Sequence, residues 1–328
     1  MRIAINGMGR IGRLLFRRLI ENEQLEIVAV NDIMPLENMA YLLKFDSVYG
    51  TFGSEIKSTA DSILVGGKKI TVLQNPDAAQ LPWKDLNVDV VLECSGKFID
   101  KASAEKHLTA GAKKVLLSTT GAEDIPLLIY GFNQNDSGAA GVKILSPGGC
   151  MTNCSVHILH ILNSIGIRSA HISVLHSYTS RQELVDAPHS QFRRGRAAAE
   201  SIIPVDIDLY KSLNRLFPSF KNKIASSSIR VPVANGAMAV FSIQLTEEVS
   251  VKQINDLFKK SGENDFKGIL DYTEEPVVSL DIKGNSHSCI VDGTQTAVLG
   301  NHLHLVAWFD NEYGFTGRMI DWLNYWNK

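Results

Sequence analysis

The chain of 328 residues is poor in cysteine, with only Cys94, Cys150, Cys154 and Cys289. So few in so long a chain do not make a disulfide framework. No neighbouring Cys or His completes a zinc-type spacing around Cys150 and Cys154, so no metal is expected. Long apolar runs are also missing: no stretch of about 18 such residues is present to cross a bilayer. No charged–apolar–small leader precedes the strand-like start Met1-Arg2-Ile3-Ala4-Ile5. Excess charge is absent too. Lys and Arg number 33 against 35 Asp and Glu, a net of −2. That balance gives no reason to expect a membrane or a specific nucleic acid as partner. Repeats, low-complexity tracts and flexible linkers are not found. The expectation left is a cytoplasmic protein with free thiols. Its 45% hydrophobic residues are enough for two ordinary domains.

The clearest pattern present is at the start. Arg2 to Ile5 reads as a short strand, followed by Gly7-Met8-Gly9-Arg10-Ile11-Gly12. Ile11, Leu14, Leu15 and Leu19 then fall at helical spacing. A second strand, Leu25 to Asn31, ends at Asp32, 20 residues after Gly12. Strand, glycine turn, helix, strand and acid in this register form a dinucleotide-binding fingerprint. Gly7, Gly9 and Gly12 let the backbone turn and approach a pyrophosphate. Arg10 and Ile11 open a helix whose N-terminus faces the phosphates. Asp32 can bond the ribose hydroxyls and would repel a 2′-phosphate, so the expected cofactor is NAD, not NADP.

Helical and strand-like segments alternate up to Leu145. Short strands between Glu55 and Val72 are punctuated by Gly66-Gly67. Val88 to Cys94, Lys114 to Leu117, Leu127 to Tyr130 and Lys143 to Leu145 read as strands, and Ala102 to Ala110 as a helix. The fold class expected is α/β. Residues 1–149 form a Rossmann domain with a doubly wound, mostly parallel sheet. Ser95 and Thr119 follow later strands, where ligands bind beyond the carboxyl ends. Beyond residue 150 the pattern changes to long strands with few helices: Ser169 to Ser177, Ile224 to Val231, Met238 to Leu245, Val277 to Asp281, Cys289 to Asp292 and His302 to Phe309. Residues 150–314 are expected to be an α+β catalytic domain with a mostly antiparallel sheet. The closing helix, within 315–328, is expected to pack back on the first domain. Residues 178 to 203 form a long polar segment, and stretches of that length inside a domain are usually functional.

Pro147, Gly148 and Gly149 stop a strand, and helical spacing starts at Met151. Cys150 therefore falls at a helix N-terminus, where a thiol ionises more readily. A lone cysteine there more often packs as a small hydrophobe. The NAD fingerprint changes that balance, because a thiolate can add to an aldehyde and the adduct can pass hydride to nicotinamide. His176, near the end of the strand after the cysteine helix, is the candidate base; a hydrogen-bonded core histidine is the alternative. Arg230 lies inside an otherwise apolar strand. It would pair with a phosphate or carboxylate ligand, or with a structural acid. Arg181, Arg193, Arg194 and Arg196 read as a solvated or subunit-facing surface that could add positive potential near an anionic ligand.

These residues resemble the phosphorylating glyceraldehyde-3-phosphate dehydrogenase family over essentially the whole chain. The resemblance is carried by residues 4–13 (AINGMGRIGR), Cys150-Met151-Thr152-Asn153-Cys154, His176, residues 193–204 (RRGRAAAESIIP), Arg230-Val231-Pro232 and residues 308–312 (WFDNE). Residues 201–206, 271–274 and 290–296 look closer to its D-erythrose-4-phosphate dehydrogenase branch. The resemblance implies Cys150 as nucleophile and His176 as base. It also implies Thr179 and Arg230 on the substrate phosphate, with Arg181 and Arg193 beside them. Gly7, Gly9, Arg10, Ile11, Gly12, Asp32, Ser95, Thr119 and Asn311 would contact NAD, with Asn311 on the nicotinamide carboxamide. The 178–203 segment would match a loop lining a neighbouring subunit's cofactor site, which implies a homotetramer.

The chain departs from the family at three hydroxyls. Where it usually has Ser before the nucleophile, Thr after it and Thr after Ile-Ile-Pro, this chain has Gly149, Met151 and Ile207. Those hydroxyls serve the attacking inorganic phosphate in the family. Position 181 is Arg where Thr is common. The expected reaction is oxidation of D-erythrose 4-phosphate to 4-phosphoerythronate by hydrolysis, an early step of pyridoxal phosphate (pyridoxine) synthesis in that branch. The alternatives are the phosphorylating triose enzyme of glycolysis and gluconeogenesis, or a non-catalytic NAD- or RNA-binding relative.

Overall fold

The computed structural model describes residues 1–136 and 138–328. The chain divides into two compact units, residues 1–149 with 318–328, and residues 150–317. The helix Tyr313–Trp326 is shared between them along its length. No described helix is long and apolar enough to cross a membrane.

The first unit holds an eight-stranded sheet. Its order is Ile144–Leu145, Lys114–Leu117, Val90–Glu93, Arg2–Asn6, Glu26–Asn31, Lys68–Leu73, Ser62–Val65, Ile56–Ser58. The six strands from Ile144–Leu145 to Lys68–Leu73 run parallel. Val90–Glu93 is buried throughout, as befits a central strand covered on both faces. The last two strands are hairpin additions, antiparallel to their neighbours. Gly66 and Gly67, with φ of +55° and +84°, make the tight turn between two of them. Helices Arg10–Leu19 and Lys101–Thr109 follow strands, and Asp100 closes a capping box with Ser103 on the second. The expected strand at Leu127 to Tyr130 is reduced to a single parallel bridge, Leu127 to Ser146. Asn133 is the physical reason. Its Oδ1 accepts the Ile129 N–H at 2.6 Å and its amide donates to the Leu127 carbonyl at 3.2 Å, folding the segment into turns.

The second unit carries a mixed sheet, mostly antiparallel, of order Ile203–Val205, Ile224–Val231, Ile167–Ser177, Ala237–Leu245, His302–Phe309, Cys289–Asp292, Leu270–Thr273. Ile167–Ser177 pairs parallel with Ile224–Val231 and antiparallel with Ala237–Leu245. Ala237–Leu245 alternates buried and less buried residues, the sign of a sheet with one face on the core. The helix Cys150–Leu162 packs on that core and is buried on nearly all sides from Thr152 to Leu162. Val277 to Asp281, expected as a strand, is a run of turns. Val277 N–H bonds to the Glu275 carbonyl, and the Asp281 carboxylate takes the Val278 N–H at 2.8 Å. Val278 and Leu280 are exposed there, so no ladder or core holds the segment extended.

Candidate active site

In the first unit the three fingerprint glycines have three different reasons to be glycine. Gly7 has φ of +97°, and a Cβ on it would lie 2.3 Å from the Ser95 nitrogen. A Cβ on Gly12 would lie 2.0 Å from the Gly7 carbonyl oxygen. A Cβ on Gly9 would meet nothing within 4 Å. The first and third are needed by the protein's own packing, and the second leaves space for a ligand. Gly9 also precedes the helix without a side-chain cap, and a helix N-terminus suits an anion. The Arg10 side chain is already engaged: its guanidinium pairs with Asp46 at 2.6 Å and lies over Tyr49. Asp32 accepts the Met8 N–H at 2.5 Å and the Met34 N–H at 2.9 Å, tying the glycine turn to the end of the second strand. Each carboxylate oxygen keeps a lone pair for a ribose hydroxyl. The residues therefore fit a dinucleotide.

Behind Ser95 lies a buried network with no periodic signal in the sequence. Ser95 donates its N–H and Oγ–H to Glu93 Oε1 at 2.7 and 2.5 Å. Asn6 and His107 donate to Glu93 Oε2 at 2.5 and 3.0 Å. Trp83 donates to His107 Nδ1 at 3.0 Å, so the proton of a neutral imidazole sits on Nε2, facing Glu93. Asn31 extends the chain through Asn6 Oδ1 at 2.7 Å. Thr119 contributes its carbonyl to the Ser146 hydroxyl at 2.6 Å.

In the second unit Cys150 is the first residue of its helix. Its Sγ is 3.7 Å from His176 Nε2. His176 Nδ1–H donates to the Ser177 carbonyl at 2.8 Å, which leaves Nε2 as an acceptor toward the thiol. Strand register brings the clamp close: His176 stands opposite Arg230 in the parallel pair. Arg230 is only 7% exposed and has no carboxylate partner among the described residues. It donates to the Ser177 carbonyl at 3.4 Å, and its Nε is buried without a partner. The structural ion pair considered for Arg230 is not there, which leaves an anion to be supplied from outside.

Burial dominates the electrostatics. It pushes the Cys150 thiol up to about 11, although Arg230 and the Met151 N–H pull it down. The easily ionised thiol expected from the helix position is therefore not found. Desolvation outweighs the helix start. His176 is pushed down to about 3, first by burial and then by Arg230. The two shifts favour a thiol facing a neutral imidazole. Asn311 takes the Ser177 Oγ–H at 3.2 Å and the Gly236 N–H at 3.0 Å on its Oδ1, which leaves its amide nitrogen to donate. Asp310, buried, supports this arrangement by accepting from Asn235, Glu312, Tyr313 and Gly284.

Thr179 donates its N–H and hydroxyl to Gln182 Oε1 at 3.0 and 3.1 Å. Gln182 is buried, and its Nε2 has no partner. Arg193 is exposed, and the basic residue brought into the field of Arg230 is Arg194. Arg181 acts on both Arg194 and Arg230. Sequence reasoning missed Gln182, Asp310 and Glu93, and placed Arg194 only within a basic cluster that could add positive potential near an anion. The adjacent pair Arg193-Arg194 offered no signal for choosing between them. The other three are placed by contacts distant in sequence or by an irregular loop.

This geometry defines a two-unit NAD-dependent oxidoreductase with a cysteine–histidine site. Residues 1–101 match the description "Glyceraldehyde 3-phosphate dehydrogenase, NAD binding domain", and residues 149–311 match "Glyceraldehyde 3-phosphate dehydrogenase, C-terminal domain". A relative from Bacillus cereus, "Glyceraldehyde-3-phosphate dehydrogenase 1", is 39% identical over 322 residues, covering 98% of this chain and 96% of its own length. The chain belongs to the glyceraldehyde-3-phosphate dehydrogenase family. It is an NAD-dependent dehydrogenase, and membership implies a sugar phosphate substrate.

Proposed function

We propose that the protein oxidises D-erythrose 4-phosphate to 4-phosphoerythronate and releases the product by hydrolysis. The observation that carries this reading is the buried Arg230, without an acid partner, behind the Cys150–His176 pair. His176 Nε2 takes the proton as Cys150 Sγ bonds to the aldehyde carbon, giving a thiohemiacetal. Bound NAD supplies the acceptor for the hydride, and the carbon left on Sγ is then a thioester. Asn311 would hold the carboxamide through its free amide nitrogen. Gly7, Gly9, Arg10, Ile11, Gly12, Asp32, Ser95 and Thr119 would hold the dinucleotide. Thr179, Arg181 and Arg230 would hold the phosphate ester, with Arg193 outside this group.

Water is the favoured acyl acceptor because Gly149, Met151 and Ile207 offer no hydroxyl to a free phosphate. Packing does not demand the glycine at 149, since a Cβ there would meet only the Thr120 hydroxyl at 3.6 Å. Water attacks the thioester carbonyl, the C–S bond breaks, and the thiol returns with the carboxylate as product. The homotetramer and the cytoplasmic setting belong to the same proposal. They rest on family resemblance.

The second reading, a phosphorylating triose enzyme, is favoured by the name of the Bacillus cereus relative. NADH formation with each aldehyde, with and without inorganic phosphate, separates the two. Activity with the tetrose in phosphate-free buffer is expected. A strict phosphate requirement with the triose preferred would overturn the first reading. Cys150→Ser should lower either activity by ~10³-fold or more.

A further inference from the structure

We propose that Asn6, Asn31, Glu93 and His107 are positioning residues for the cofactor, a buried polar row that fixes three dinucleotide loops relative to one another. They act through the loops they hold. The inference rests on the NAD dependence of the chain and not on which aldehyde it oxidises.

Three of the four end neighbouring strands. Asn6 closes Arg2–Asn6, Asn31 closes Glu26–Asn31 and Glu93 closes Val90–Glu93. Asn6 stands opposite Asn31 on one side and Glu93 on the other. A segment of the dinucleotide site follows each: Gly7 to Gly12 after Asn6, Asp32 after Asn31, and Ser95 two residues after Glu93.

Strands covered on both faces ordinarily carry apolar residues. Here Asn6, Asn31, Glu93 and His107 are at most 4% exposed, and every polar side-chain atom of the four has a partner. Asn31 donates to Asn6, and Asn6 to Glu93. His107 supports Glu93 from the helix Lys101–Thr109, and Trp83 fixes its ring. Asn31 also bonds the Asn75 carbonyl and N–H at 2.9 and 3.0 Å, which ties in the turn after Lys68–Leu73. Main-chain bonds run the same way. The Gly7 N–H reaches the Asn31 carbonyl and the Cys94 N–H the Asn6 carbonyl, both at 2.7 Å. A fully satisfied network accepts one arrangement, which an apolar row would not specify. Little slack is left, since a Cβ on Gly7 would lie 2.3 Å from the Ser95 nitrogen. A slip at one strand end therefore moves two loops.

The test is calorimetric titration of the full chain with NAD and with ADP-ribose, under conditions where urea curves show each variant folded. His107 is the cleanest probe, because its hydrogen bonds go to Glu93 and Trp83 and not to a loop. His107→Leu should weaken both ligands by the same factor, about tenfold. His107→Gln keeps a donor for Glu93 and should recover most of that loss. In the same variants KM for NAD should follow the binding, while kcat at saturating NAD does not fall. Glu93→Gln is isosteric and turns one acceptor into a donor facing Asn6 and His107. It should match His107→Leu, and it decides the question if His107→Leu does not fold. Unchanged affinity for both ligands beside a lowered urea midpoint would reduce the row to packing and overturn the proposal. A loss confined to NAD, with ADP-ribose unaffected, would overturn it too. If no aldehyde phosphate yields NADH, the proposed function fails, and the ADP-ribose titrations still decide the role of the row.

Discussion

Two buried polar centres invite comparison. In the first unit, Glu93 accepts from Ser95, Asn6 and His107, and His107 accepts from Trp83. In the second, His176, Arg230 and Gln182 are almost as buried beside a half-buried Cys150, yet Arg230 and Gln182 keep donors without acceptors. Both centres put ionisable groups out of water, which is costly unless the groups are paired. One meets that cost internally and so works as structure. The other leaves it unmet, and a ligand must complete it. Orphaned donors, more than burial or charge, distinguish the second of these two centres from the first.

The largest expected effect sharpens this contrast through pH. The imidazole of His176 is held at about 3 against an ordinary 6.5, so the folded protein binds fewer protons than the unfolded chain in between. Stability is then intact above pH 6.5 and lost as pH falls toward 3, by up to about 5 kcal/mol. His176→Asn should remove that part of the acid loss in urea titrations at pH 7 and pH 4. An unchanged acid slope would place the loss elsewhere.

Breaking the satisfied centre should cost stability first. His107→Leu leaves the Trp83 N–H without its acceptor and Glu93 Oε2 with only its Asn6 donor. About 3 kcal/mol should be lost, read as a lower urea midpoint at constant m-value. Breaking the unsatisfied centre should do the reverse. Arg230→Leu is expected to raise KM for the aldehyde phosphate by ~10²-fold with stability held or improved. Its Cys150 thiol should also move further up, because the cation that pulls it down is gone, and alkylation at pH 8 should slow. If Arg230→Leu destabilised as much as His107→Leu, the distinction between the two centres would collapse. The smallest effect is Ser95→Ala, which removes one of the donors to Glu93 and should cost about 1 kcal/mol.

The two centres also differed in how far they could be read from sequence. Gly7, Gly9, Gly12 and Asp32 declare themselves because a βα turn is local, and Gly7 and Gly12 answer constraints within a few residues or one strand away. Cys150 at a helix start and His176 on a strand were legible for the same reason. That they meet was an inference from the family resemblance, since a register of parallel and antiparallel strands is set by the whole sheet. An irregular loop has no period to say which of Arg193 and Arg194 turns inward. Val277 to Asp281 has the composition of a strand, but Asp281 closes a turn over Val278 before any ladder can form. Glu93 and His107 meet between a strand and a helix that no spacing rule connects. The departures at Gly149, Met151 and Ile207 needed no structure to be noticed.

The Ser177 carbonyl takes one hydrogen bond from His176 and another from Arg230. Base and clamp thus share a single acceptor, and neither can be altered as a private matter. A lineage that exchanged Arg230 for a different anion holder would at the same time retune its proton acceptor. Positions 176 and 230 are therefore expected to evolve as one character, and a search for new substrate ranges in this scaffold should vary them together.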